Sequence, residues 1–117
     1  MIHILDDIQL PGTHLPEVLH WLEHDYLPHC AARGVQLQQR WISPPVPVEG
    51  VPSHLWLLWQ VADVASYYGM RARQDAGVVA FWQRVDRVCV QRARHVLGEP
   101  QLPPASTQAP TEVTHAA

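Results

Sequence analysis

Residues 20–30, HWLEHDYLPHC, hold three histidines, two acids and a cysteine in one short stretch. Within it His20, Glu23 and His24 match H-x-x-E-H, a spacing that in one group of zinc peptidases puts two ligands and a general base on one helical face. Projected at 100° per residue, however, Leu15, Val18, Leu19, Leu22, Tyr26 and Cys30 form the apolar stripe of the helix, and His20 and His24 fall nearly opposite it. A catalytic metal needs a third ligand and a dry cavity, so His20 and His24 are expected to be solvated and no metal is expected.

Asp25 and His29 make a second pair, four residues apart at the edge of that stripe. A carboxylate bonded to one imidazole nitrogen fixes the tautomer and raises the basicity of the other, which suits a general base. The competing reading is a histidine satisfied by a carbonyl at the helix end. On a later helix Tyr67 and Arg71 share a face with Val64 and Tyr68. An arginine can pair with a carboxylate or enolate, and a tyrosine hydroxyl can donate to a developing oxyanion. The plainer reading makes both tyrosines core residues and Arg71 a partner of Asp75 or Asp25. His29, Asp25, Tyr67 and Arg71 are therefore the candidate catalytic set, and Tyr26, Trp41, Trp59 and Tyr68 the candidate pocket wall.

Composition narrows the chemistry further. All eight positive side chains are arginine, and the absence of lysine excludes a Schiff-base lysine and a P-loop. A net charge of −3 with scattered arginines argues against nucleic acid. No apolar run reaches the roughly 20 residues that span a bilayer, and MIHILDD lacks the marks of a signal peptide, so a cytoplasmic protein is expected. Cys30 and Cys89, far apart and each on an apolar helical face, are expected to be free thiols.

The elements that must position these side chains follow from periodicity. Residues 2–10 alternate as a strand, and a helix follows from about 15 to 32, with Pro16 in its first turn, a kink expected at Pro28 and a stop at Gly34. Residues 35–43 form a second strand with Val35, Leu37 and Trp41 on one face, and 44–53 a proline-rich loop. The apolar run 54–62 is expected to be a strand covered on both faces. Asp63 and Asp75 are N-caps of two helical segments. A last strand at about 92–97 closes a domain of residues 1–97, and residues 98–117 are expected to be a flexible tail rich in Pro, Ala and Thr.

Strand, helix, strand, strand, helix, strand is the order of an α+β, ferredoxin-like βαββαβ sandwich with both helices on one sheet face. With tryptophans at 41, 56 and 59, at least one indole points away from the helices, and an exposed apolar sheet face marks an interface. A face-to-face homodimer is the expected solution. The element order, together with LPHCAARGVQLQQRW and HLWLLWQVADVASYYGMRARQDAGVVAFW, resembles the dimeric α/β barrel superfamily, and within it NIPSNAP-type proteins. The resemblance covers about residues 2–97. It implies a small-molecule site, with chemistry ranging over isomerases, cyclases, lyases, cofactor-free monooxygenases and haem-handling proteins, so fold alone does not choose.

The expected function is a cofactor-independent acid/base enzyme acting on an apolar or aromatic carbonyl metabolite. The alternative is a non-catalytic dimer binding a small ligand or haem, with His3, His54 or His95 facing the cavity between sheet and helices. No C-x-x-C-H haem attachment motif is present.

Overall fold

Alternation along the first strand decides the layering. In β1 (Ile2–Pro11), Ile4, Asp6, Ile8 and Leu10 are buried while His3, Leu5, Asp7 and Gln9 are half-exposed. The computed structural model describes residues 1–73 and 75–100. Three further strands, β2 (Gln36–Ser43), β3 (Pro52–Val61) and β4 (Gln91–Gly98), complete one antiparallel sheet in the order β2-β3-β1-β4. This is the expected ferredoxin-like arrangement.

Helical segments cover one face only. Residues 15–33 run through α1 (Leu15–Trp21), a π-helical turn (Leu22–Tyr26), α2 (Leu27–Cys30) and a 3-10 turn (Ala31–Arg33). The wide turn directly precedes Pro28, which cannot donate to the carbonyl four residues back and whose ring crowds it. Widening the turn relieves that crowding, so the expected kink takes the form of a π turn. The apolar stripe survives it: Leu15, Val18, Leu22, Tyr26 and Cys30 are all buried, and His20 and His24 are exposed. Gly34 ends the segment at φ +74°, a left-handed conformation that favours glycine.

Beyond β3, α3 (Val64–Ala72) and α4 (Ala76–Val88) are capped as expected, Asp63 accepting from the Ser66 N–H and Asp75 from the Val78 N–H. From α4, Val78, Phe81 and Val85 enter the core against Tyr26, Trp59 and the buried residues of β1. Phe81 stacks on Tyr26 with ring centroids 4.5 Å apart.

The sheet corrects two expectations. In β3, Leu55, Leu57, Trp59 and Val61 are buried under the helices, but His54, Trp56, Leu58 and Gln60 stand half-exposed on the other face, so the strand is covered on one side only. In β2 the register shifts between Leu37 and Gln39. That bulge inserts a residue and inverts the parity, so Leu37 pairs opposite core-facing Trp59 while Trp41 pairs opposite Trp56 on the open face. Residues 101–117, most of the segment expected to be a tail, lie outside the described residues.

Candidate functional site

The residues expected to converge are distributed to separate partners. Asp25 accepts a hydrogen bond from the Arg84 Nη1 at 2.9 Å, and the carboxylate beside His29 is Asp75, 3.1 Å from its Nδ1. Asp25 therefore does not stand behind His29. The cause is tertiary: Asp75 caps α4, and its second oxygen meets the imidazole coming from α2. The same imidazole packs over Gly77, where a Cβ would come within 2.8 Å of Nε2. His29 is thus a docking contact between α2 and the start of α4, with a glycine to admit it.

Tyr67 packs on the core and Tyr68 is exposed, the two rings 5.3 Å apart edge to face, and Arg71 is exposed. The pocket wall divides as well. Trp41 lies across the sheet from Trp59, so the two cannot line one cavity. His3, His54 and His95 stand on the open face, the first two by β1–β3 register and the third opposite Leu5, so none faces the cavity between sheet and helices. At the H-x-x-E-H match, the His20 and His24 rings lie 4.3 Å apart and Glu23 pairs with Arg40 at 2.7 Å. Among the described residues no three His, Cys, Asp or Glu side chains gather as a metal site.

What the fold does bring together is a buried polar network between β1, β4 and the helices. Asp6, only 2% exposed, accepts from Arg94 Nε at 2.8 Å and Nη2 at 2.9 Å and from the Trp59 indole N–H at 2.9 Å. Sheet register causes this, because Arg94 and Asp6 are cross-strand partners on the helix-facing side. Burial pulls the Arg94 guanidinium towards neutrality, but the Asp6 hydrogen bonds and charge outweigh it and hold the group above its ordinary range. Tyr26 lies close enough to support that charge. Its hydroxyl also accepts from Arg33 Nη1 at 3.4 Å, and Arg33 is buried with its Nε unbonded. Cys30, one turn on from Tyr26, donates its thiol to the Tyr26 carbonyl, and burial pushes its pKa up to about 11.

The network reaches the surface through a cleft of about 330 Å³ lined by Val78, Val79, Trp82, Gln83, Asp86, Arg92 and Arg94. The Arg92 and Arg94 guanidiniums lie 4.5 and 5.4 Å from the Trp82 ring centroid. Asp86 accepts from Arg92 Nε at 2.6 Å, and this pair raises the Arg92 pKa. Chemically the cleft offers a fixed cationic wall, an indole face and one carboxylate at its mouth. The proline-rich loop lines a different, apolar groove of about 540 Å³ with Pro11, Gly12 and Val90.

Sequence reasoning missed Asp6 and Arg94, although one sign was present. Asp6 has the same parity as Ile4 and Ile8, and a carboxylate on the core-facing side of a strand requires a buried partner. Its partner, 88 residues away, was beyond the reach of local pattern.

Similarity to solved structures agrees with this architecture. A NIPSNAP domain protein from Burkholderia xenovorans superposes with a TM-score of 0.63 at 17% identity, covering 93% of this chain and all of that one. The fold is that of the NIPSNAP proteins. A NIPSNAP family protein from Agrobacterium tumefaciens gives a TM-score of 0.66 at 15% identity over 89% of this chain and 97% of its own. An antibiotic biosynthesis monooxygenase-like protein from Nitrosomonas europaea gives 0.64 at 9% identity over 85% and 98%. No protein-family model and no curated protein matches the sequence. At these identities the NIPSNAP likeness establishes architecture, and function has to be argued from the site.

Proposed function

We propose that this chain is a small cofactor-independent enzyme that holds an apolar or aromatic carbonyl compound in the cleft between β4 and α4. The observation that carries the reading is the bidentate Asp6–Arg94 pair, which locks a guanidinium from behind while its side chain still lines the cleft beside Trp82. A preorganised cation is suited to negative charge developing on a substrate oxygen, because no reorganisation is needed when the charge appears. Asp86, at the cleft mouth, is the carboxylate placed to take a proton next to the carbonyl once the substrate displaces Arg92 from it. Reprotonation elsewhere gives an isomerase, and elimination gives a lyase. Attack of the enolate carbon on a second carbonyl of the same molecule, whose oxygen takes up protons and leaves as water, gives a cyclase. With dioxygen as co-reactant the same enolate serves a cofactor-free monooxygenase, in keeping with the monooxygenase-like neighbour.

A second reading has its own support. Both guanidiniums already hold protein carboxylates, which favours a passive small-ligand-binding protein over a catalyst. Either reading takes the protein as a cytoplasmic homodimer, supported by its free cysteines and by the uncovered sheet face with Leu5, Trp41, Trp56 and Leu58 on it. Among the described residues no helix is long and apolar enough to cross a membrane.

The test is a turnover screen of aromatic ketones and 1,3-diketones across pH, using the parent, Asp86→Asn and the volume-conserving pair Asp6→Asn with Arg94→Met. Loss of roughly 10²- to 10³-fold in the Arg94 variant, with retained ligand binding in Asp86→Asn, supports catalysis. Saturable binding without turnover in any form moves the assignment to the passive reading.

A further inference from the structure

The open sheet face has an unusual charge composition. None of the eight arginines stands on it: Arg40, Arg92 and Arg94 pair opposite helix-facing Leu57, Ile8 and Asp6, and the other five lie in helices or turns. The ionisable side chains on the face are His3 and Asp7 from β1, none from β2, His54 from β3 and His95 from β4. Asp7 and His54 are bonded to each other at 2.8 Å, and the His54 ring stacks near Trp56. His3 and His95 lack carboxylate partners among the described residues, and the His3 Nδ1 is buried with nothing bonded to it.

Between these groups the face is uncharged, with Leu5, Leu58, Trp56, Trp41 and Leu97 standing among the glutamines Gln9, Gln39, Gln60 and Gln91. His95, Leu5 and Leu58 form one cross-strand row, and Asp7, Trp56 and Trp41 another. None of the described elements covers it. We propose that this face is a proton-controlled self-association surface, occupied by a second copy when His3 and His95 are neutral and released when they become charged. The proposal rests on the dimer reading above and adds its control.

A second copy is the occupant that fits. A face with one carboxylate, already paired internally, offers no field to attract a highly charged partner, and an identical face is equally free of uncompensated charge and brings the same exposed indoles and leucines. Size makes the device sensitive. Four strands of about eight residues project roughly 19 by 27 Å, so two copies cover on the order of 1,000 Å², near the lower limit for a specific interface. Imidazoles change charge between pH 5 and 8, and protonating His3 and His95 places four cations in one dimer interface. His54 is not part of the device, because its ring is bonded to Asp7.

Light scattering on size-exclusion chromatography of the full chain, at pH 8.0 and 5.5, tests the proposal, with circular dichroism to follow folding. The parent is expected to have the mass of a dimer at pH 8.0 and a dissociation constant roughly tenfold or more higher at pH 5.5 while still folded. His3→Gln with His95→Gln is expected to stay dimeric at both pH values. A monomer at pH 8.0 overturns the dimer reading itself. A dimer of unchanged affinity at pH 5.5, dissociation that persists in the double glutamine variant, or unfolding of the parent at pH 5.5 overturns the control and leaves the dimer standing.

Discussion

At the scale of single residues, burial separates ion pairs that look alike in sequence. Asp6 is buried with three charge-assisted or indole donors on its two oxygens, whereas Asp25 and Arg84 are each about half exposed. Asp6→Ala removes an acceptor of three donors, but it leaves Arg94 in reach of water at the cleft, so it is expected to cost about 1.5–3 kcal/mol in urea unfolding. Asp25→Ala is expected to cost less than about 1 kcal/mol. Gly77 supplies a second test. Gly77→Ala gains up to about 1 kcal/mol of helix propensity but displaces the His29 ring, so the gain should emerge only in a His29→Ala background, read as a double-mutant cycle. Cys30 predicts an alkaline limit. Its pKa rises from 9.0 unfolded to about 11 folded, so the fold binds the proton more tightly between those values. Stability from this group is complete below pH 9 and falls as pH approaches 11, a slope that Cys30→Ala should remove.

At the scale of elements, the caps and the π turn carry the expectations. The Val78 N–H holds the Asp75 carboxyl below the usual range, and the Ser66 N–H does the same for Asp63. A depressed carboxylate stabilises the fold above the unfolded value of 3.8, and that contribution is lost as pH falls through the folded value. Asp63→Asn with Asp75→Asn keeps a capping oxygen but removes the titration, so urea midpoints should fall less steeply between pH 5 and 3 than in the parent. Both caps were legible because capping is local, spanning three residues. The Leu37–Gln39 bulge was not: it is a property of the β2–β3 pairing, and nothing within residues 35–43 dictates it. That single inserted residue put Trp41 and Trp59 on opposite faces, so Trp41 lines a separate cleft at the sheet edge with Pro16, His20 and Glu23.

For the whole molecule, the uncovered sheet face is where the proposed dimer is tested. Leu58 stands mid-strand in β3, opposite Leu5, so Leu58→Arg puts a cation at the centre of the proposed interface without touching the core. At pH 8.0 it is expected to halve the mass seen by light scattering, with unchanged helical circular dichroism. The helix-side cleft and the open face lie on opposite sides of the sheet, so this variant should still bind a cleft ligand when monomeric.

Periodicity, caps and turn residues determined by themselves the element order, the buried stripe of the first helical segment and the outward aspect of His20 and His24. These are short-range consequences of 3.6- and 2-residue repeats and of proline and glycine backbone limits. Only the tertiary structure decided which carboxylate meets which base. Asp75 reaches His29 because α4 begins beside α2, and Asp6 reaches Arg94 because the first and last strands are neighbours. Such pairings depend on strand register and helix docking, which sum many weak long-range contacts that no local window of sequence contains.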